Sequence, residues 1–175
     1  MLPPAGPLDR KYVSLKIADP DHAQEIADVH GRLFNPPWDV AGVQPLLEAP
    51  AAVAFVARVG IPPVTAGFVI GQIAADVSEI ISIGVATEWQ RRGMGRILFD
   101  AFSRAVTRAG AKRVFLDVAA DNTAAMALYS SLGCTEVGRR KGYYLRHEAP
   151  SVDAIVMTRA LEEAGSINRS SLAPV

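Results

Sequence analysis

Residues Gln90-Arg91-Arg92-Gly93-Met94-Gly95 combine an approachable backbone with positive charge, which is what a phosphate group needs. They lie between a strand-like run, Ile80 to Ala86, and a helix-like run, Met94 to Ala109. Glycine has no Cβ to hold a ligand away from the chain. The first N–H groups of a helix point outward, and the helix dipole favours an anion there. Arg91, Arg92 and Arg96 add charge at the same place. The stretch therefore reads as a phosphate cradle, with an ordinary glycine-rich turn as the plain alternative. A dinucleotide fingerprint is excluded, because Leu98 stands where its third glycine belongs. A Walker loop is excluded too, since no Gly-Lys-Ser/Thr follows.

Further along, Asp117 lies in an almost wholly apolar strand-like run, Val114 to Val118. Carboxylates are seldom buried without a partner, and ligands of α/β sheets gather at the carboxyl ends of strands. Asp117 is thus either a site residue or one half of a structural hydrogen bond. Glu79, just before Ile80, is either a solvated strand charge or a second site carboxylate. Asn122 suits a helix cap. Tyr129 falls on the apolar face of the helix that Asn122 opens. Cys134, the one cysteine, reads as a small buried hydrophobe and not as a nucleophile. His22, His30 and His147 have no partners at metal-ligand spacing, so each reads as a surface or helix histidine and no metal is expected.

The elements that position these residues follow from pattern. Tyr12 to Ile17 alternates as a strand. A helix opened by Pro20 and Asp21 runs to about Leu33. Phe34-Asn35-Pro36-Pro37-Trp38 is a loop, because its prolines forbid helix. A short helix follows from Asp39 to Leu47. Val53 to Val59 and Val64 to Ile73 form a hairpin, and Ile80 to Ala86 is the next strand. The helix after the glycine loop shows Leu98, Ala101, Phe102, Ala105 and Ala109 on one stripe, then stops at Gly110. With the buried strand Val114 to Val118 it makes a parallel βαβ unit. Asp121-Asn122-Thr123 caps a helix that stops at Gly133. Strands near Thr135 to Tyr144 and Ala154 to Arg159 close the domain. The expected class is a mixed α/β sheet of about six to seven mostly antiparallel strands with about four flanking helices. Residues 12–161 form the expected single domain, between flexible segments 1–11 and 162–175.

Composition limits the function. The chain of 175 residues suits one core, and its formal net charge is zero with no long run of like charge. That argues against nucleic acid as a partner. The N-terminus lacks a basic region and an apolar core of the secretory kind. The uncharged stretch Val59 to Ala75 is broken by Pro62 and Pro63, so it is a hairpin and not a membrane span. A cytoplasmic protein is expected, and its single cysteine fits a reducing compartment. Oligomeric state is not legible.

Two segments, in order, carry a resemblance. Gln90 to Gly95 resembles the Q/R-x-x-G-x-G/A pyrophosphate loop of the GNAT acyltransferases. Asp117 to Gly133 resembles their segment in which an asparagine opens a helix and a tyrosine closes its inner face. Within that superfamily the chain most resembles the RimI-like ribosomal-protein-alanine N-acetyltransferases. Pro37-Trp38, Ile83-Gly84-Val85, and Gly138 to Tyr144 followed by Asp153 to Met157 complete the match. Cys134 stands where the family usually has an aromatic, and Asp117 where it usually has glutamate.

The resemblance implies a GNAT-like fold and acetyl-CoA as cofactor. It implies that the backbone of Ile83, Gly84 and Val85 pairs with the pantetheine arm. Arg91, Arg92, Gly93, Met94, Gly95 and Arg96 would hold the pyrophosphate, and Asn122 would contact the cofactor. Tyr129 would be the proton donor to the leaving thiolate. Asp117 or Glu79 would be the base, the former through a water because its reach is shorter. Trp38, Tyr143 and Tyr144 would line a peptide groove. The implied acceptor is a protein N-terminus, the N-terminal alanine of the eighteenth protein of the small ribosomal subunit. A small amine or a lysine side chain is the alternative acceptor, and a non-catalytic acyl-CoA-binding module is the alternative of another class. An α-amine, with a pKa of about 7.7–8.0, needs little help to become neutral.

Overall fold

Seven strands form one sheet in the order β1-β2-β3-β4-β5-β7-β6. This architecture comes from a computed structural model that describes residues 12–146 and 149–162. The expected flexible segment 1–11, the expected tail beyond Glu162, and His147 lie outside the described residues. The elements are β1 (Val13–Ile17), α1 (Ala23–Leu33), α2 (Val40–Glu48), β2 (Ala52–Val59), β3 (Val64–Ala74), β4 (Val77–Val85), α3 (Met94–Arg108), β5 (Arg113–Ala119), α4 (Thr123–Ser131), β6 (Thr135–Arg146) and β7 (Ala149–Ala160). β4 and β5 pair in parallel, and every other neighbouring pair is antiparallel.

Local chemistry explains the boundaries. Asp19 caps a 3₁₀ turn at Pro20–His22, accepting from the Asp21 N–H at 3.0 Å, and α1 begins only at Ala23. α3 and α4 end on Gly110 and Gly133, both with positive φ. β7 starts at Ala149, five residues before the sequence pattern suggests. Pro150 and Ser151 break the apolar run. Residues 149–152 pair only with β6, however, so a proline without an N–H is tolerated there.

The sheet buries a core on each face. On one side lie Leu98, Phe99, Phe102 and Val106 of α3, against Val69, Ile80, Val114, Leu116 and Met157. On the other, Ile26 and Val29 of α1 and Val43 of α2 cover Val56, Phe68 and Ile70. Each such fully buried side chain contributes about 1.5–3 kcal/mol. α1 is tied to the sheet by charge as well: Arg58 of β2 grips Glu25 at 2.5 and 3.1 Å, and Thr65 of β3 donates to the same carboxylate. Burial by itself would raise Glu25, but the bonds from Arg58 and Thr65 prevail and hold it below the usual range.

The register of β4 slips once. Ile70 of β3 faces Ser82, while Gly71 faces Ile80, so Ile81 is an extra, bulged residue. The phase of β4 reverses there. Ile80 points to the α3 core before the bulge, and Ile83 and Val85 point to it afterwards. Gly71 opposite the bulge has no room for a side chain: a Cβ would sit 2.5 Å from Phe102 Cζ.

Of the two expected settings, surface or helix, His30 takes the helix, and it is buried there, only 3% exposed. Its ring stacks on Trp38 at 4.3 Å and 10°, and lies 4.4 Å from Phe34. Its Nδ1 accepts the Trp38 N–H at 3.1 Å. It thus fixes the loop between α1 and α2. Burial holds the imidazole below its usual range. Above the unfolded value of about 6.5 the ring is neutral in both states, and the latch is intact. As pH falls from there toward the lower folded value, the unfolded chain takes the proton first and stability is lost. His30→Phe should be less stable than wild type at pH 7.5, because the Trp38 N–H loses its acceptor. The gap in melting temperature should narrow between pH 6.5 and the folded value. Parallel thermal melts across pH check this; a constant gap would refute it.

Candidate active site

β4 and β5 part company at the bulge. Their pairing runs from Val77↔Arg113 to Ile80↔Leu116 and stops, although β4 continues to Val85 and β5 to Ala119. A split therefore opens between two strands of one sheet. Ala86 donates its N–H to Ala66 on the β3 side at 2.9 Å. By alternation Gly84 also turns its backbone groups toward β3, while those of Ile83 and Val85 face the split. The Val85 carbonyl there accepts the Gln90 side-chain amide at 2.9 Å. Gly84 contributes by what it lacks, since a Cβ would come within 2.8 Å of Phe68 and 3.0 Å of Leu33.

At the end of the split lies the glycine loop. Arg91 (φ 59°) and Gly93 (φ 87°) are both left-handed. For arginine that backbone is uncommon. Gly93 is the N-cap of α3 and offers no side-chain acceptor, and the helix bonds start with Ile97 N–H to Gly93 O at 3.1 Å. The N–H groups of Met94, Gly95 and Arg96 thus have no acceptor within the helix. This is an anion cradle that needs no side chain.

The side chains of the loop divide their work. Met94 is buried in the core. A Cβ on Gly95 would stand 2.8 Å from Leu128, so this glycine lets α3 approach α4. Arg96 reaches α4, 3.1 Å from Ser131 Oγ. Arg92 lies over the Trp89 ring at 5.5 Å, and Arg91 is exposed.

α4 brings in the next two residues. Asn122 is its N-cap and accepts the Ala125 N–H at 3.1 Å. Tyr129 is 6% exposed and packs against Phe99 with ring centroids 6.0 Å apart. Burial pushes its phenol well above the usual range, with Cys134 and then Tyr144 adding to the shift. Cys134 is buried behind it, and burial raises that thiol.

On the opposite face of the sheet, a pocket is lined by Gln72, Glu79, Phe115, Asp117, Arg140 and Val156 among others. Glu79 and Phe115 are register partners across the parallel pair, and Asp117 comes two residues later on the same face. The two candidate carboxylates thus share one pocket. Asp117 is engaged by Arg140 Nε at 3.3 Å, whereas Glu79 has no ion pair among the described residues. Tyr144 donates its hydroxyl to the Asp117 carbonyl at 3.3 Å. Burial, followed by the Asp117 charge and Tyr143, pushes the Tyr144 phenol up to about 12, against the pull of Arg140. Tyr143 meets Tyr144 edge-on at 5.1 Å. Trp38 is committed to its stack on His30 and does not line this pocket. Sequence reasoning passed over Gln72, Phe115 and Arg140, which only the strand register brings together.

The sequence model of the Acetyltransferase (GNAT) family matches residues 23–134. The chain belongs to this family. The GNAT match begins at α1 and ends just past α4. The chain is similar to the [ribosomal protein bS18]-alanine N-acetyltransferase of Salmonella typhimurium, 38% identical over 92 residues. That alignment spans 53% of this chain and 62% of the relative's length. It is also similar to the N-alpha-acetyltransferase RimI of Mycobacterium tuberculosis, 34% identical over 141 residues, with 78% and 85% of the two chains covered. The crystal structure of the Escherichia coli ribosomal-protein-S18-alanine N-acetyltransferase superposes with a TM-score of 0.79 at 26% identity, over 89% of this chain and 97% of that one. Arabidopsis thaliana NAA60, solved in complex with acetyl-CoA, shares the fold with a TM-score of 0.74 at 18% identity, over 85% and 98% of the chains. Among the described residues no helix is long and apolar enough to cross a membrane, and no group of three or more His, Cys, Asp or Glu could hold a metal ion.

Gly93 gives a direct test of the cradle. A Cβ there meets nothing within 4 Å, so a substitution brings backbone strain without a clash. Gly93→Glu adds a negative charge beside the free N–H groups and should weaken acetyl-CoA binding by about 10–100-fold, where Gly93→Ala loses roughly tenfold or less. Calorimetric titration of both folded variants measures this. Equal affinities for Gly93→Glu and wild type would eliminate the cradle.

Proposed function

We propose that this GNAT protein transfers an acetyl group from acetyl-CoA to the α-amino group of a protein N-terminus. The observation that carries the reading is the split between β4 and β5, with an anion cradle at its end and a buried phenol on one side. The residues present fit the cofactor: Met94, Gly95 and Arg96 offer free N–H groups where a pyrophosphate would sit, with Arg91 and Arg92 beside them. Ile83 and Val85 present backbone groups that a pantetheine amide can pair with, and Asn122 keeps its side-chain NH₂ available. Acetyl-CoA, when bound, supplies the acetyl group as an activated thioester.

The roles of the chain's own residues follow. Tyr129 keeps its proton through the whole neutral range, because burial favours the neutral phenol. It therefore stands protonated beside the departing thiolate, as a hydrogen-bond donor and never a base at working pH. The Val85 N–H, facing the split, is suited to an oxygen that gains negative charge in the transition state. The carboxylates Asp117 and Glu79 face the other side, where an ammonium would enter. Asp117 receives the amine's proton through water, and Glu79 anchors the amine. Tyr143 and Tyr144 wall the groove; Trp38, committed to His30, is not part of that wall. The similarity to bS18-modifying enzymes supports the N-terminal alanine of that ribosomal protein as the acceptor, and a cytoplasmic setting.

Tyr129→Phe keeps the ring and removes the proton. It should lower kcat by about 10²–10⁴-fold while acetyl-CoA affinity stays nearly unchanged. A variant with undiminished kcat, chemistry being rate-limiting, would reduce Tyr129 to packing. Acceptor choice is tested separately. A peptide beginning with Ala should gain one acetyl group by mass spectrometry, and the same peptide with a blocked N-terminus and an internal Lys should gain none. Faster labelling of the blocked peptide would move the protein to the lysine or small-amine reading.

A further inference from the structure

β6 is not neighbour to β5; β7 lies between them. Two side chains of β6 nevertheless reach one residue of β5. Arg140 Nε stands 3.3 Å from the Asp117 carboxylate, and the Tyr144 hydroxyl donates to the Asp117 carbonyl at 3.3 Å. Residues four apart in a regular strand are about 13 Å apart. A large irregularity in β6 removes that distance. Arg140 faces Ala154 and Tyr144 faces Val152, so Lys141, Gly142 and Tyr143 all lie opposite Asp153 alone. Gly142 takes φ 59° and gives its N–H to Asp153 Oδ1 at 2.9 Å, which pins the bulge. Arg139 approaches the other Asp153 oxygen at 3.6 Å. Ala119 and Ala154, the residues in line with Arg140, are small enough to leave its path clear.

Arg140 is also held from outside. Its guanidinium lies 5.5 Å from the Tyr143 ring centroid. Half-exposed itself, it meets an Asp117 side chain only 16% exposed. It forms part of the wall of the pocket that Asp117 and Glu79 share.

We propose that Arg140 is a positioning residue of the acceptor site: it orients the Asp117 carboxylate in the shared pocket and fastens the bulged β6 against β5. This rests on the acetyl-transfer reading above and deepens it. A simple structural ion pair would affect stability alone. A positioning pair affects the acceptor step, and does so through Asp117.

The test is a double-mutant cycle with Arg140→Met, Asp117→Asn and the two combined, together with Arg140→Lys. Arg140→Met keeps the apolar stem and removes the charge. It should lower kcat/KM for the Ala-initiated peptide by about tenfold or more, with acetyl-CoA affinity within about twofold of wild type. Arg140→Lys should recover part of the loss, and adding Arg140→Met to Asp117→Asn should cost little more. Full activity of Arg140→Met overturns the proposal. So do additive losses, or an Arg140→Met defect matched by equal losses of melting temperature and acetyl-CoA affinity. The carboxyl-carbon chemical shift of Asp117, compared at one pH between wild type and Arg140→Met, needs no turnover. An unchanged chemical shift overturns the pairing even if wild type acetylates no α-amine, an outcome that by itself would defeat the acetyl-transfer reading.

Discussion

One extra residue in β4, Ile81, forces the strand to change phase in mid-course, and the open sheet follows from that. Before the bulge β4 is an ordinary partner of β5. After it, the two strands diverge and leave the backbone of Ile83 and Val85 without a neighbouring strand. An unpaired strand edge inside a sheet is costly unless something satisfies it. The Gln90 amide satisfies one carbonyl and leaves the remainder for a ligand. Gly71 and Phe102 make the bulge possible, because the backbone can only turn there if no side chain stands between β3 and α3.

Around this opening the fold spends its polar contacts on fixing loops. His30 holds the α1–α2 connection by a ring stack and one hydrogen bond, and Glu25 binds α1 to β2 and β3. Asp153 pins the bulge of β6. None of these groups faces the split. They fix the walls, and the wall residues then need little freedom.

The sheet class, the parallel βαβ unit and the glycine loop were legible in the sequence because each depends on neighbours in the chain. Gly93 and Gly133 mark turns wherever they stand, and Val114 to Val118 has only one sensible environment. Other features were not legible, for a physical reason. The run Ile80-Ile81-Ser82-Ile83 gives no hint that Ile81 is skipped, since pairing with β3 decides that. Arg140 looks like one cation of a basic run until the register of β6 on β7 carries it over to Asp117. His30 is the helix histidine its pattern suggests, but its partner Trp38 is supplied only when the α1–α2 loop folds back on it. Pro150 hides the start of β7, because a single-sided strand tolerates what a central one would not.

Tyr129 belongs to the core on the α3 and α4 side of the sheet, while Asp117 and Glu79 open to the other. The sheet itself is thus the partition between two half-sites that meet only through the gap. For the acetyl transfer proposed above, this has a kinetic meaning. Donor and acceptor can occupy their own sides at once, with no need to take turns in one cavity. Nor is a thiol placed to carry the group between visits, since the one cysteine, Cys134, is buried with its proton favoured. Turnover then runs through a ternary complex, and its initial-rate plots should intersect instead of running parallel.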